Sequence, residues 1–259
     1  MKVFSPERDG AAASAPHALQ TASRRVSQFA DRHPEWWLPA LSLGAWSALF
    51  WQHAQQAATG THPAHHMHHA AGTAAGWGSD LVGWVLMVAA MMLPLVIDPA
   101  HTAALRSLWR RRHRAIAGYL SGYLAVWMIA GLVSLTLLAA IKVSFAEQSR
   151  ALAFGFAIAA AWQLTPYKRL ALSACHRTMP LAPRGWRADY DCIRYGLQSG
   201  RSCVLSCWAL MLLPMLASHN LWLMLVASAV CAVERYRPRP EVEIIGAGLI
   251  VIAAGLLVY

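Results

Sequence analysis

Long apolar runs alternate with short polar, basic segments along most of this chain. Several runs approach the roughly 20 residues that a helix needs to cross a bilayer, and they lack the strict alternation typical of barrel strands. The runs fall at about 36–53, 79–97, 115–140, 151–166, 196–217, 221–234 and 242–259. Because the fourth and sixth runs are short, the pattern predicts an all-α, polytopic transmembrane helix bundle with six or seven spans.

The basic residues between the runs predict the orientation of the bundle. With the N-terminus placed in the cytoplasm, 20 of the 22 lysines and arginines fall on the inner side, and only Lys142 and Arg150 fall outside. Cytoplasmic loops carry such an excess of positive charge. The distribution therefore predicts a multi-pass protein of the bacterial inner membrane, with a cytoplasmic N-terminus and with Tyr259 at the outer surface.

The same segmentation divides the chain into two parts. Residues 1–34 are polar and alanine-rich, and we expect a disordered cytoplasmic leader there. Residues 35–259 form the predicted transmembrane helical domain. Its histidine-rich linker 53–78 is expected outside, and the linker 167–195 is expected to be the largest cytoplasmic loop.

Composition agrees with a membrane protein and disfavours nucleic acid as a partner. The 259 residues are 57% hydrophobic and only 13% charged, whereas soluble domains carry about 25% charged residues. The net charge of +10 follows from the basic inner loops, and no basic–aromatic pattern typical of a nucleic-acid surface is present. The lipid bilayer, with its anionic headgroups, is the expected partner.

A repeat of sulfur-bearing residues gives the first indication of chemistry. Cys203, Cys207, Met211 and Met215 recur at every fourth position, so a helix places them on one face. The spacing of Cβ atoms four residues apart, about 5–6 Å, exceeds the roughly 3.5–4.5 Å of a disulfide, but a metal between two thiolates tolerates it. Soft sulfur ligands favour Cu(I). The alternative is plain packing, since free Cys and Met are also ordinary core residues.

Two other spans carry residues of the same kind. Met87 and Met91 share a helix face shortly before Pro94, which is expected to kink the helix. In the sixth span Cys231 and Glu234 lie on roughly one face, and Glu234 either pairs with Arg235 or Arg237 or serves as a functional carboxylate. Alternatively, the methionines form a flexible helix interface.

The predicted outer linker contains His62, His65, His66, His68 and His69 with Met67 between them. Clustered imidazoles bind copper, zinc and nickel with little selectivity, so the linker is expected to collect metal, unless it is an incidental polar linker. The residues predicted to ligate metal are Cys203, Cys207, Met211, Met91, Met87, Cys231, Glu234, His65, His66, His68 and His69.

Weaker indications lie on the predicted inner side. Cys175 and His176 are adjacent and form either a ligand pair or an activated thiol. Asp98 and His101 follow Pro94, where they either line a polar mouth or cap a helix terminus.

The order of short motifs resembles a bacterial family of predicted metal-binding integral membrane proteins that is catalogued as a domain of unknown function. The resemblance spans about 79–234. It includes Met91-Met92-Leu93-Pro94, Gln163-Leu164-Thr165-Pro166 with Lys168, Cys175, Gly196 and Gly200, Cys203 to Trp208, Asn220-Leu221-Trp222 and Glu234. The family pattern has a vicinal cysteine pair and an arginine where this chain has Ser206-Cys207 and His176. The resemblance implies a multi-pass architecture and a metal-related role.

These features together favour a membrane protein that binds a soft metal, with copper first, for handling, delivery or transport. A periplasmic metal carrier or other membrane subunits would then be its protein partners. The alternatives are a structural or assembly subunit of a membrane complex, or a membrane thiol or metal oxidoreductase. An enzyme is the less favoured interpretation, because the chain has no C-x-x-C motif and almost no His or carboxylate ligands in its spans.

Overall fold

The computed structural model describes residues 33–59, 74–142, 148–217 and 219–237, together with 244, 246–248, 250–252 and 254–255. Every regular element within these residues is helical, which confirms the all-α class. Residues 1–32 of the predicted leader and the loop histidines His65, His66, His68 and His69 lie outside the described residues.

The described helices are connected mostly by short turns. In chain order they are α1 (Trp37–Thr59), α2 (Ala74–Met92), α3 (Ile97–Leu105), α4 (Arg112–Lys142), α5 (Gln148–Gln163), α6 (Pro166–Cys175), α7 (Trp186–Leu216) and α8 (Leu221–Tyr236). Single 3₁₀ turns at Pro94–Val96 and Trp109–Arg111 precede α3 and α4. The described residues between 244 and 255 are helical as well.

Helix α7 is the centre of the bundle and contacts α4, α5, α6 and α8. Its interface with α4 is the most extensive in the described chain. The two helices run parallel, since Gly118 meets Cys192 while Gly200, further along α7, meets Val126 on α4. The first residues of α4 and of α7 therefore lie at the same end of the molecule.

Glycines allow α4 and α7 to approach backbone to backbone. A Cβ atom at Gly196 would lie 1.9 Å from the Tyr119 carbonyl oxygen, and one at Gly122 would lie 2.3 Å from the Ile193 carbonyl oxygen. Both distances are far below any van der Waals contact, so no larger residue fits at either position. The pairs Gly118/Gly122 and Gly196/Gly200 each have the G-x-x-x-G spacing typical of close helix pairs in membranes.

Pro94 bends the second apolar run, as the sequence predicts. The helical segments 78–92 and 94–105 meet at 49°. Proline has no N–H group, so the carbonyl of Ala90, four residues earlier, loses its helical donor. The Ser42 hydroxyl on α1 donates to that carbonyl oxygen at 2.8 Å, which satisfies the freed acceptor inside the core.

The segment expected to be a loop at 167–195 is largely helical. Thr165 caps α6, because its side chain accepts from the Lys168 N–H, and Pro166 occupies the first turn. Helix α7 begins at Trp186, ten residues before the apolar run at 196. Apolar content marks only the part of a helix that is buried in apolar surroundings, so polar helical turns beyond it escape that criterion.

Two helical stretches are long and apolar enough to cross a membrane, Trp109–Leu138 and Trp186–Leu216. A third is added if the bent pair Gly78–Met92 and Pro94–Leu105 counts as one span. The apolar helix Ala151–Gln163 is shorter. The described part of the chain thus has two or three helices compatible with membrane association.

Candidate metal centre

The cysteines of α7 point into the protein and not toward its periphery. Cys203 and Cys207 are 4% and 5% exposed, and the helical spacing of four residues places them on the face that packs against α4, α2 and α8. All five cysteines of the chain are free and buried. Four of them share one core cluster with Met87, Met91 and Met211, namely Cys175, Cys203, Cys207 and Cys231.

Cys207 is the middle member of a three-cysteine cluster. Its thiol is close enough to interact with the thiols of Cys203, one turn earlier on α7, and of Cys231 on α8. The three sulfur atoms do not all lie within 4.8 Å of one another. The cluster therefore offers two overlapping two-sulfur sites that share Cys207.

A methionine and a tyrosine complete the surroundings of Cys203. The Met92 Sδ atom accepts from the Cys203 thiol at 3.9 Å, and the Tyr123 hydroxyl on α4 donates to the Cys203 Sγ atom at 3.1 Å. Met92 is fully buried where α2 ends, just before the bend at Pro94. Helices α2, α4, α7 and α8 thus all supply a side chain to the cluster.

Ser206 connects this cluster with the cysteine of α6. Its hydroxyl donates to the Cys203 carbonyl at 2.9 Å and lies 3.3 Å from the Cys207 sulfur. The Cys175 Sγ atom is 4.0 Å from the same hydroxyl oxygen. Burial raises the pKa of the Cys175 thiol to about 11, so this residue is a neutral thiol at neutral pH and must release a proton to bind a metal.

A buried ion pair lies beside the cysteines. Lys168 is 0% exposed, and its ammonium group donates to the Glu234 Oε1 atom at 2.7 Å and to the Gln163 side-chain carbonyl. The sequence analysis named Arg235 or Arg237 as the ionic partner of Glu234. In the structure the partner is Lys168. Capping by Thr165 starts α6 so that Lys168 turns inward, which sequence spacing alone does not reveal.

A cavity of about 200 Å³ extends from Cys175 toward the surface. Buried Arg235 and exposed Asp98 and His176 contribute to its lining. Burial lowers the pKa of the His176 imidazole, and the charge of Arg235 lowers it further. The Cys175 thiol thus lines the cavity on one side and contacts the Ser206 hydroxyl, which in turn contacts the Cys207 sulfur.

The structure brings together part of the set of predicted ligands. Cys207 neighbours both Cys203 and Cys231, and Glu234 lies one helical turn beyond Cys231 on α8. Met87, Met91 and Met211 are buried in the same core, but Met92 is the methionine that contacts Cys203. Met92, Tyr123, Ser206 and Lys168 were not among the predicted site residues, although Met92, Ser206 and Lys168 belong to the short motifs of the sequence.

An all-helical bundle with buried thiol and thioether side chains converging from several helices defines a class of candidate soft-metal-binding proteins. The family model described as PpoB2, copper chaperone, matches residues 81–258, which is more than half of the chain. The chain therefore belongs to this copper chaperone family, and a copper-related role follows. No curated protein and no solved structure matches the chain.

Proposed function

We propose that this protein is a copper chaperone of the bacterial inner membrane, which holds Cu(I) on the sulfur atoms of Cys203, Cys207 and Cys231. The convergence of three thiols and the Met92 thioether in one buried cluster carries this proposal. Thiolate and thioether ligands select Cu(I) over harder cations. The copper chaperone family of the chain supports the same metal.

Two overlapping sites suit transfer of copper better than permanent storage. In this mechanism, an ion held by Cys203 and Cys207 moves to Cys207 and Cys231 by exchanging one thiolate for another, while Cys207 stays bound throughout. Two metal–sulfur bonds of about 2.3 Å each span roughly 4.6 Å, which suits a pair of neighbouring thiols. Met92 supplies a weak additional donor at the Cys203 end.

The cavity at Cys175 is the proposed exchange route between the cluster and a carrier. Its lining reaches from exposed Asp98 and His176 to the buried Cys175 thiol. The Ser206 hydroxyl stands between Cys175 and Cys207. A carrier that presents a thiolate-bound copper ion in this cavity would need only one intermediate cysteine to reach the cluster.

The apolar outer face of α4 supports integration in the membrane. Ile129, Leu132 and Leu137 are 65%, 56% and 57% exposed, and side chains of this kind are stable against lipid rather than water. We propose six or seven spans, with the N-terminus inside and the linkers 53–78 outside and 167–195 inside. The parallel directions of α4 and α7 are compatible with this arrangement.

The histidine-rich linker 53–78 is the proposed collector of metal on the outer side. His65, His66, His68 and His69 would take copper from a periplasmic carrier and raise its concentration near the bundle, and they would also bind zinc or nickel. Since sulfur and not imidazole holds the ion in the bundle, the linker is not required for binding at the cysteine cluster.

Copper binding by purified variants tests the proposal. The full chain in detergent is loaded with Cu(I) and challenged with a soluble Cu(I) chelator. Cys207→Ser is expected to weaken copper retention by at least about tenfold, roughly 1.4 kcal/mol, because Cys207 belongs to both two-sulfur sites. Cys192→Ser is the matched control, since Cys192 is an equally buried cysteine of α7 that packs against Gly118.

The outcomes separate metal binding from packing. Retention that is weakened by Cys207→Ser and unchanged by Cys192→Ser supports the proposal. Equal retention in both variants and in the unaltered chain would mean that the cysteines only fill space. Replacing the five histidines within 62–69 by alanine is expected to leave the chelator-resistant copper in place.

A further inference from the structure

A second group of metal-ligating side chains lies at the start of α1 and includes no cysteine. His33 and Glu35 immediately precede α1, and His101 lies on α3. Their donor atoms all lie within 4.8 Å of one another, the only such group of three or more His, Cys, Asp or Glu residues among the described residues. His101 is more than 60 residues from His33 and Glu35 in the sequence, so only the fold brings it to them.

The geometry places a carboxylate between two imidazoles. The Glu35 Oε1 atom is 3.3 Å from His33 Nδ1, and Glu35 Oε2 is 2.9 Å from His101 Nδ1. The second pair is close, yet neither Glu35 Oε2 nor His101 Nδ1 has a hydrogen bond of acceptable angle among the described residues. Two facing polar atoms that are buried without a well-formed hydrogen bond cost free energy, and a shared cation would satisfy both.

The carboxyl group of Glu35 is enclosed by the protein, since the residue is only 6% exposed. A carboxylate that is buried between two imidazoles favours a cation at this place.

We propose that His33, Glu35 and His101 form a second metal site, which binds a divalent cation of borderline softness such as Zn²⁺ or Cu²⁺. Two imidazoles and one carboxylate suit these ions and lack the sulfur that Cu(I) prefers. Three protein ligands leave a fourth position for water or an exchanging ligand. The bound cation would tie the segment that enters α1 to α3, and it is independent of the cysteine cluster on α7 and α8.

The test uses the full chain in detergent, with the five histidines of 62–69 replaced by alanine so that they do not compete. Co²⁺ is the spectroscopic probe, because its visible absorption reports coordination by nitrogen and oxygen and its near-ultraviolet absorption reports thiolate. We expect one bound equivalent without the thiolate band. Glu35→Gln and His101→Ala are each expected to weaken Co²⁺ binding at least tenfold, whereas the control His113→Ala, at an exposed histidine of α4, leaves it unchanged.

Zn²⁺-dependent stability distinguishes a metal site from an ordinary ion pair. A ligand that binds only the folded state raises the melting temperature. We expect Zn²⁺ to raise the melting temperature of the background protein and of His113→Ala, and to have no effect on Glu35→Gln. Absence of Co²⁺ binding, or Co²⁺ binding and a Zn²⁺-induced increase that persist in Glu35→Gln and His101→Ala, would overturn the proposal.

Discussion

At the scale of single residues, the burial of Lys168 carries a high free-energy cost. A lysine that is completely removed from solvent is stable only if its charge is paired and its hydrogen bonds are made. Glu234 supplies the opposite charge, and the Gln163 carbonyl supplies a second acceptor. The pair also holds α6 against α8 next to Cys231, so the position of one ligand depends on it.

Removing one member of this pair is expected to destabilise the protein strongly. Lys168→Met leaves the Glu234 carboxylate buried without its cation, and the free energy of unfolding should fall by about 3–5 kcal/mol. The double variant Lys168→Met/Glu234→Gln is expected to recover a large part of this loss, because neither charge remains. Denaturant unfolding in detergent measures both values.

The control is Arg177→Met, which replaces an exposed cation and should change stability by less than about 0.5 kcal/mol. If Lys168→Met is no more destabilising than Arg177→Met, or if the double variant is the sum of its parts, the two groups are not coupled in the folded protein.

The sequence predicts some residues of the cluster and misses others for identifiable reasons. Cys203 and Cys207 follow from the four-residue repeat, and Cys231 follows from its helical face. Met91 was favoured over Met92 because the straight-helix repeat pairs it with Met87. In the structure Met92 is the last residue of α2 and its side chain contacts Cys203. Helical periodicity does not predict side-chain orientation reliably at a helix terminus.

At the scale of the helices, glycine determines how the central pair packs. The α4–α7 interface has no room for a side chain at Gly196 or Gly122, since the opposing atoms belong to the rigid backbone. Backbone atoms cannot rotate away as a flexible side chain can. The contact of Tyr123 with Cys203 therefore requires these glycines, because the tyrosine lies on the same interface.

Gly196→Ala is accordingly expected to separate α4 from α7 and to lower stability by at least about 2 kcal/mol. Gly44→Ala is the matched control, because a Cβ at that helical position meets nothing within 4 Å. Alanine there should be neutral or stabilising by roughly 0.5–1 kcal/mol. Thermal unfolding of the two purified variants provides the comparison, and equal melting temperatures would contradict the close packing.

Helix existence was predictable from apolar runs, but helix boundaries were not. Pro94 predicts the bend. Because proline has no N–H, the Ala90 carbonyl has no helical donor, and the Ser42 hydroxyl from another helix donates to it instead. Helix α6 and the first turns of α7 after Trp186 consist of polar sequence. A search for apolar runs does not detect helices of this kind. Local capping by Thr165 and Pro166 was the available signal for α6.

At the scale of the whole molecule, the parallel directions of α4 and α7 limit the possible membrane topologies. Arg112 and Trp186 begin the two helices at one end of the bundle. Under the proposed topology that end faces the cytoplasm, and the excess of basic residues before each helix is the reason for this orientation. The same end holds the His33, Glu35 and His101 group under the proposed topology, whereas the linker 53–78 is at the other end.

Reporter fusions test this topology. Alkaline phosphatase, which is active only outside the cytoplasm, is expected to be active when fused after Asn220 or after Tyr259 and inactive when fused after Arg237. This pattern follows if α8 and the segment 242–259 each cross the membrane. Activity after Arg237, or its absence after Tyr259, would show that the proposed orientation or the last span is wrong.

The central claim is that sulfur atoms of the buried cluster hold the copper ion, and X-ray absorption at the copper edge tests it most directly. The sample is the Cu(I)-loaded full chain with the five histidines of 62–69 replaced by alanine. We predict a first shell of two or three sulfur atoms at about 2.3 Å from the metal, which loses a sulfur atom in Cys207→Ser. A shell made only of nitrogen or oxygen at about 2.0 Å, unchanged by Cys207→Ser, would contradict the account.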